Sequence, residues 1–191
     1  MATYTSQYPI AQSDDYVKVT TRFSDLFFPY FATNPALLLT GSWGSNCWIS
    51  QNTVKTNQRF HIDLGSAKII RRIYYENGHN SGGSVKTGSK NFTFWGSNTG
   101  AGTFDDLVYE NDEGWTQLDI SQSTFDIHVA LDQEDPKYIT VTNVTAYRYY
   151  AFKIADIQDA GYDYMSMRRL ELQTEDGYEE GTSIMFTFSA F

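Results

Sequence analysis

The chain has 191 residues, with 14 Lys and Arg against 23 Asp and Glu and a formal charge of −9. That balance excludes a protein built to hold nucleic acid, because neutralising phosphates takes a clustered excess of Lys and Arg. The length suits one ordinary domain with a real core, and 16% aromatic residues among 14 Gly and only 4 Pro favour an all-β sandwich over a helical bundle.

The basic doublets Arg71-Arg72 and Arg168-Arg169 make no stripe, since neighbours in a strand point to opposite faces, and both read as ordinary sheet-edge or surface residues. Cys47 is alone, so no intrachain disulfide forms. The first residues carry neither the basic start nor the apolar run of a signal peptide, and no segment is apolar enough to span a bilayer, so synthesis and folding in the cytoplasm without membrane insertion are expected. In that setting the glycosylation patterns at Asn91 and Asn143 are chance matches.

In chain order, residues 1–35 form an N-terminal arm or extension. They hold a short strand over 16–21 and an aromatic run over 22–32 that either covers one end of the sandwich or docks on a partner subunit. A helix over 24–31 capped by Ser24 would be limited by Pro29. Residues 36–50 pass from an apolar run into a Gly/Ser/Asn loop ending at Trp48. Residues 58–64 alternate Phe60, Ile62 and Leu64 with Arg59, His61 and Asp63, the period of a strand with one buried and one wetter face. Gly65-Ser66 then marks a tight turn into a second strand from Ile69 to Tyr75. Residues 76–90 are a long polar loop of the kind that often binds.

Further strands are expected over 91–95, 115–120, 124–131, 138–142, 147–154 and 167–173. Between them lie a Gly/Asn-rich acidic insertion at 96–114, read as solvated, and a polar loop at 155–164. Residues 175–181 read as a linker, and the apolar residues 183–191 as a short C-terminal strand added to this sandwich or to a neighbouring chain.

The order of these pieces resembles the discoidin, or coagulation factor 5/8 type C, family of galactose-binding-like jelly rolls. The alternating strand ending in Asp63-Leu64-Gly65 with its Ile-rich successor carries the likeness, together with Trp48 before it. So do the strand closing at Ser97-Asn98, Trp115-Thr116, the Arg148–Lys153 strand and Leu170-Glu171-Leu172 at the end. The match covers residues 36–174 and implies an antiparallel β-sandwich whose end loops bind sugars, lipid headgroups or protein surfaces, usually without catalysis.

The resemblance also implies a place for a structural calcium, matched here by Thr40, Gly41 and Ser42 with Glu171 from the last strand. With Glu171 as the only carboxylate, no calcium and no other cofactor is expected. A sugar site needs an aromatic face and planar hydrogen-bonding groups. Two loops used by sugar-binding relatives supply Asn77, His79, Asn80 and Lys86, and Asp159, Tyr162, Asp163 and Tyr164. Of these, Asn77, His79, Asn80, Asp159, Tyr162 and Tyr164 are the candidate ligand contacts. The alternative is that His79 and Asn80 only cap a turn and the tyrosines serve packing or an interface. His61 and His128 lie in strand patterns and read as structural. Catalysis has little support: the carboxylates of Asp105, Asp106, Glu110, Asp112 and Glu113 sit in the acidic insertion, and no hydrolase, phosphate-loop or zinc motif is present.

A fold that works at exposed surfaces, in a chain with no export signal and no disulfide, points to a particle released by lysis. The expectation is a non-catalytic bacteriophage virion protein, on capsid or tail, that binds host cell-surface glycans or neighbouring subunits and assembles as a homo-oligomer. The alternatives are a free galactose-type lectin and a purely structural assembly subunit.

Overall fold

The structure, a computed structural model, describes residues 2–178; the strand expected over 183–191 and the end of the linker before it lie outside them. Among the described residues there are ten strands: β1 (Tyr4–Gln7), β2 (Val17–Val19), β3 (Trp48–Ile49), β4 (Gln58–Lys68), β5 (Arg72–Asn77), β6 (Phe92–Ser97), β7 (Thr116–Ile120), β8 (Lys137–Thr142), β9 (Tyr147–Ile154) and β10 (Ser166–Glu175). The only α-helix among them is α1 (Ala101–Asp105), with short 3-10 turns at Pro29–Thr33 and Val85–Thr87.

All strand pairs are antiparallel. One layer runs β1-β10-β5-β8, with β3 also on β10, and the other runs β7-β6-β9-β4-β2; they join where β7 pairs β8. Between the layers the inward residues of β4 (Phe60, Ile62, Leu64) and β9 (Tyr150, Phe152, Ile154) meet Ile73 and Tyr75 of β5 and Leu170 and Leu172 of β10. This apolar burial supplies the main driving force for folding.

The sequence places a tight turn at Gly65-Ser66, but the chain does something else there. β4 pairs with β2 and β9 whereas β5 pairs with β10 and β8, so the two strands belong to opposite layers. Gly65 takes φ +73°, Asp63 Oδ1 accepts its N–H at 2.7 Å, and the β4–β9 register slips between Asp63 and Lys68. The strand bends rather than reversing, and residues 69–71 then cross between sheets.

The wetter face expected for β4 is also covered. Arg59, His61 and Asp63 are buried, the first two beneath residues 98–114. In that segment Phe104 packs with Trp115, Tyr149 and Ala151 in a second small core. Arg59 donates to the carbonyls of Val108 and Asn111 and to Asp112, which also takes Lys153 at 2.7 Å. The acidic insertion keeps its carboxylates at the surface, Asp105, Glu110 and Glu113 exposed as expected of a solvated loop, while Phe104 and its main-chain carbonyls also cover this sheet.

Residues 124–131 are not a strand apart from one bridge at Thr124. Side chains satisfy this backbone instead: Asn77 and Gln158 donate to the carbonyls of Asp126 and Phe125, and the Asp126 N–H reaches the Tyr75 hydroxyl at 3.0 Å. Phe125 then enters the core, stacked on Phe92 at 4.0 Å.

The first 35 residues contribute β1 and β2, the outermost strands of the two layers. The expected helix over 24–31 is a turn at Ser24 followed by the 3-10 turn that Pro29 opens, as the missing proline N–H dictates.

Candidate functional site

The loop end of the sandwich is assembled by buried polar side chains. Asn77, the last residue of β5, is buried and fully committed. Its Oδ1 accepts the Gly78 N–H at 2.8 Å, and its Nδ2 donates to the carbonyls of Ser89 (2.8 Å) and Asp126 (3.0 Å). His79 is equally buried. Its Nδ1 accepts the Gly82 N–H at 3.0 Å, which puts the proton on Nε2, and Nε2 donates to the Leu39 carbonyl at 2.9 Å.

The His79 ring stacks on that of His128, centroids 3.9 Å apart, and His128 bonds the Leu131 carbonyl at 2.6 Å. Burial, with Arg168 and His128 adding to it, pushes His79 down to about 4, so it is neutral at neutral pH. Asn77 and His79, expected as ligand contacts, instead build the loops: every hydrogen-bonding atom they have is already used inside the protein.

Arg168 and Arg169, expected at the surface, are buried as well. Arg169 donates to the Leu37 carbonyl at 2.8 Å and to Glu171 at 3.2 Å. Arg168 donates to the carbonyls of Thr40 (3.1 Å), Gly41 (2.8 Å) and His79 (2.8 Å). These contacts decide whether calcium fits the positions the family likeness points to. Glu171 is held by Ser6 and Arg169, and the carbonyls of Thr40 and Gly41 face a guanidinium. A divalent ion there would sit against a fixed positive charge, so these residues do not fit one. Among the described residues no three His, Cys, Asp or Glu side chains gather into a metal site.

On this scaffold lies an aromatic surface. The backbone N–H of Trp43 donates to Asn80 Oδ1 at 3.3 Å, and its ring meets Tyr164 edge-on at 5.6 Å. Tyr164 in turn meets Phe23 at 6.2 Å, and Phe23 meets Phe27 at 5.8 Å. With Ile49 these rings line an almost wholly apolar recess of about 150 Å³, and the Trp43 indole N–H has no acceptor within the protein.

Beside it, Asn80 and Tyr162 are exposed. Asp159 accepts the Gly161 N–H and pairs with Lys86 at 2.9 Å, contacts that hold its carboxyl below the ordinary value. Of the residues expected from sequence, the structure thus leaves Asn80, Asp159, Tyr162 and Tyr164 at the surface of this end. Sequence reasoning missed Trp43, Phe23 and Phe27. The signal for Trp43 was an aromatic set among Gly and Ser in residues 41–45, where no strand could bury it.

Nothing here resembles a nucleophile or a paired acid and base. Cys47 is buried, which pushes its thiol up to about 12. His61, structural as expected though buried on the face read as wetter, is pushed down to about 4 by burial, with one ring nitrogen on the Phe104 carbonyl. His128 is structural as expected, though it sits in a loop rather than a strand.

No family model matches the chain, and no curated protein does. Solved structures do. A chain from a structure of the Streptococcus pneumoniae β-galactosidase BgaA superposes with a TM-score of 0.61 at 9% identity, covering 88% of this chain and 97% of that one. The family 32 carbohydrate-binding module (CBM) of Clostridium perfringens NanJ, in complex with galactose, gives 0.52 at 14% identity over 90% and 100%. Truncated AlyQ, with CBM32 and alginate lyase domains, gives 0.55 at 13% identity; 92% of this chain is covered but only 34% of that one, so the chain spans about a third of its length. The protein has an all-antiparallel β-sandwich fold that matches the jelly-roll sandwich of these carbohydrate-binding modules.

Proposed function

We propose that this protein is a non-catalytic glycan-binding module whose ligand sits on the loop end, against Trp43, Tyr164 and Phe23, with Asn80, Tyr162 and the Asp159–Lys86 pair meeting its hydroxyls. One observation carries this reading: an aromatic recess open to solvent beside planar polar groups, at the end of a sandwich, which is the chemistry a pyranose ring needs. The aromatic faces take the C–H side of the ring, and the polar groups beside them take its hydroxyls. Galactose bound by the NanJ module, which shares this fold, supports a sugar as the ligand class.

A glycan array on the purified protein tests this. Binding should fall at least about tenfold in Tyr164→Ala and Tyr162→Ala, the loss of one stacking contact, while the melting temperature holds. Equal binding by these variants, or no binding to any glycan, would remove the reading.

For its setting we propose the outer surface of a bacteriophage virion, among copies of itself or other virion proteins. What supports this is a surface-binding fold in a chain whose single cysteine allows no internal disulfide. Light scattering that finds only monomers, free of any particle, would favour a free galactose-type lectin instead.

A further inference from the structure

We propose that Arg168 is a built-in cation that assembles the ligand end of the sandwich in place of a bound metal ion, so that loop order is independent of calcium. Its place in β10 comes first. Met167 pairs with Asn77 and Arg169 with Glu76, so Arg168 is the extra residue of a β-bulge, the device that re-aims a side chain out of the strand's alternation. The bulge delivers the guanidinium to the loops.

There the side chain is fully buried and no carboxylate of the described residues lies within 4 Å of it. An uncompensated buried charge is costly and persists only where dipoles replace its water. Four main-chain carbonyls do so: Leu38 and Thr40 on Nη1 at 3.4 and 3.1 Å, Gly41 and His79 on Nη2 at 2.8 Å each. An all-oxygen array around a cation is how a hard metal ion is held. A guanidinium with its fixed fork can fill the same role, and unlike an ion it cannot dissociate.

The carbonyls belong to two separate loops. One runs on to Trp43 and the other to Asn80, which are themselves hydrogen-bonded to each other. Arg168 is therefore a positioning residue: it holds the two loops whose next residues form the proposed glycan surface. Only this last consequence rests on the glycan reading.

Amide hydrogen exchange at Gly41, Ser81 and Gly82 is the test, since the first two N–H groups bond across the loops to Asp132 and the Gly41 carbonyl and the third closes the His79 loop on His79 Nδ1. In the full chain their protection should be the same in EGTA and in about 5 mM calcium chloride. Arg168→Met should speed their exchange at least about 100-fold while the β4–β9 amides stay protected. Arg168→Lys, which keeps the charge and three donors, should restore part of the protection.

Calcium-dependent protection in the wild type, or an Arg168→Met protein with unchanged loop exchange, would overturn the proposal. If the Met variant does not fold, the calcium comparison on the wild type and the Lys variant still decide. Because exchange needs no ligand, absence of glycan binding with the expected exchange pattern would sink the glycan reading alone.

Discussion

Mild acid should destabilise this protein well before its carboxylates are titrated, because two buried histidines must stay neutral in the fold. His61 lies 2.8 Å from the Phe104 carbonyl, against Trp115 at 4.8 Å; burial, with the Arg59 charge adding to it, brings it from 6.5 to about 4. His79, held between Leu39, Gly82 and the His128 ring, is likewise brought to about 4. A histidine whose folded pKa lies below its unfolded one costs nothing above about pH 6.5, where both states are neutral. As the pH falls through the unfolded value toward 4 the unfolded chain takes up the proton first, and stability is lost.

Moving from 6.5 to 4 amounts to about 3.4 kcal/mol per histidine in full, of which about 2 kcal/mol is gone by pH 5. The pair should therefore remove about 3–4 kcal/mol between pH 7 and pH 5, a large part of a marginal stability. Two effects oppose this. The Glu76 carboxyl is raised by burial and so favours the fold in acid, and the net charge of −9 shrinks on acidification, easing repulsion. Urea unfolding at pH 7, 6 and 5 in about 0.3 M salt screens the second effect. The midpoint should fall steadily, and His61→Phe should roughly halve the slope. A stability flat within about 0.5 kcal/mol over that range, or histidine NMR titration midpoints above about 6 in the native state, would refute the reasoning.

Phe152 meets Phe92, Phe94 and Phe125 at 5.7, 4.8 and 6.0 Å in the middle of the core, so Phe152→Ala should cost about 3–5 kcal/mol in urea unfolding, a cavity cost rather than a loss of the fold. Cys47 is fully buried with its thiol pushed up to about 12, and a thiol reagent should label it only as fast as the protein unfolds; prompt labelling of the native protein would contradict its placement.

Much of the sandwich could be read from alternation, because that signal is local. The strand at 147–154 is found with those bounds, and β6, β7, β8 and β10 differ from expectation only at their ends. What failed were statements about partners. Period-2 alternation at 58–64 says that β4 has two kinds of face but not what covers the second, which is a segment 43 to 49 residues further on. Gly65-Ser66 marks a change of direction, yet whether the chain turns back along its own sheet or crosses to the other depends on pairing with β9 and β10, which lie far away in sequence. Residues 124–131 alternate well enough for a strand, but side chains from Asn77 and Gln158 reach their backbone in place of a neighbouring strand.

The same distinction sorts the site. Both loops chosen from sequence do lie at the proposed ligand end, but hydrogen-bonding capacity alone could not separate residues that contact a ligand from residues that shape the loop. Asn77 and His79 are the richest donors and acceptors there, and for that reason they are consumed: a buried turn needs groups that can satisfy several backbone atoms at once, and these two sit closest to the end of β5. Position relative to the strand end would have been the better guide, since Asn80, one residue further out, is exposed. Arg168 makes the point from the other side. A charged residue reads as surface unless something shows that its charge is met, and here its hydrogen bonds all go to main-chain carbonyls, which no sequence pattern records.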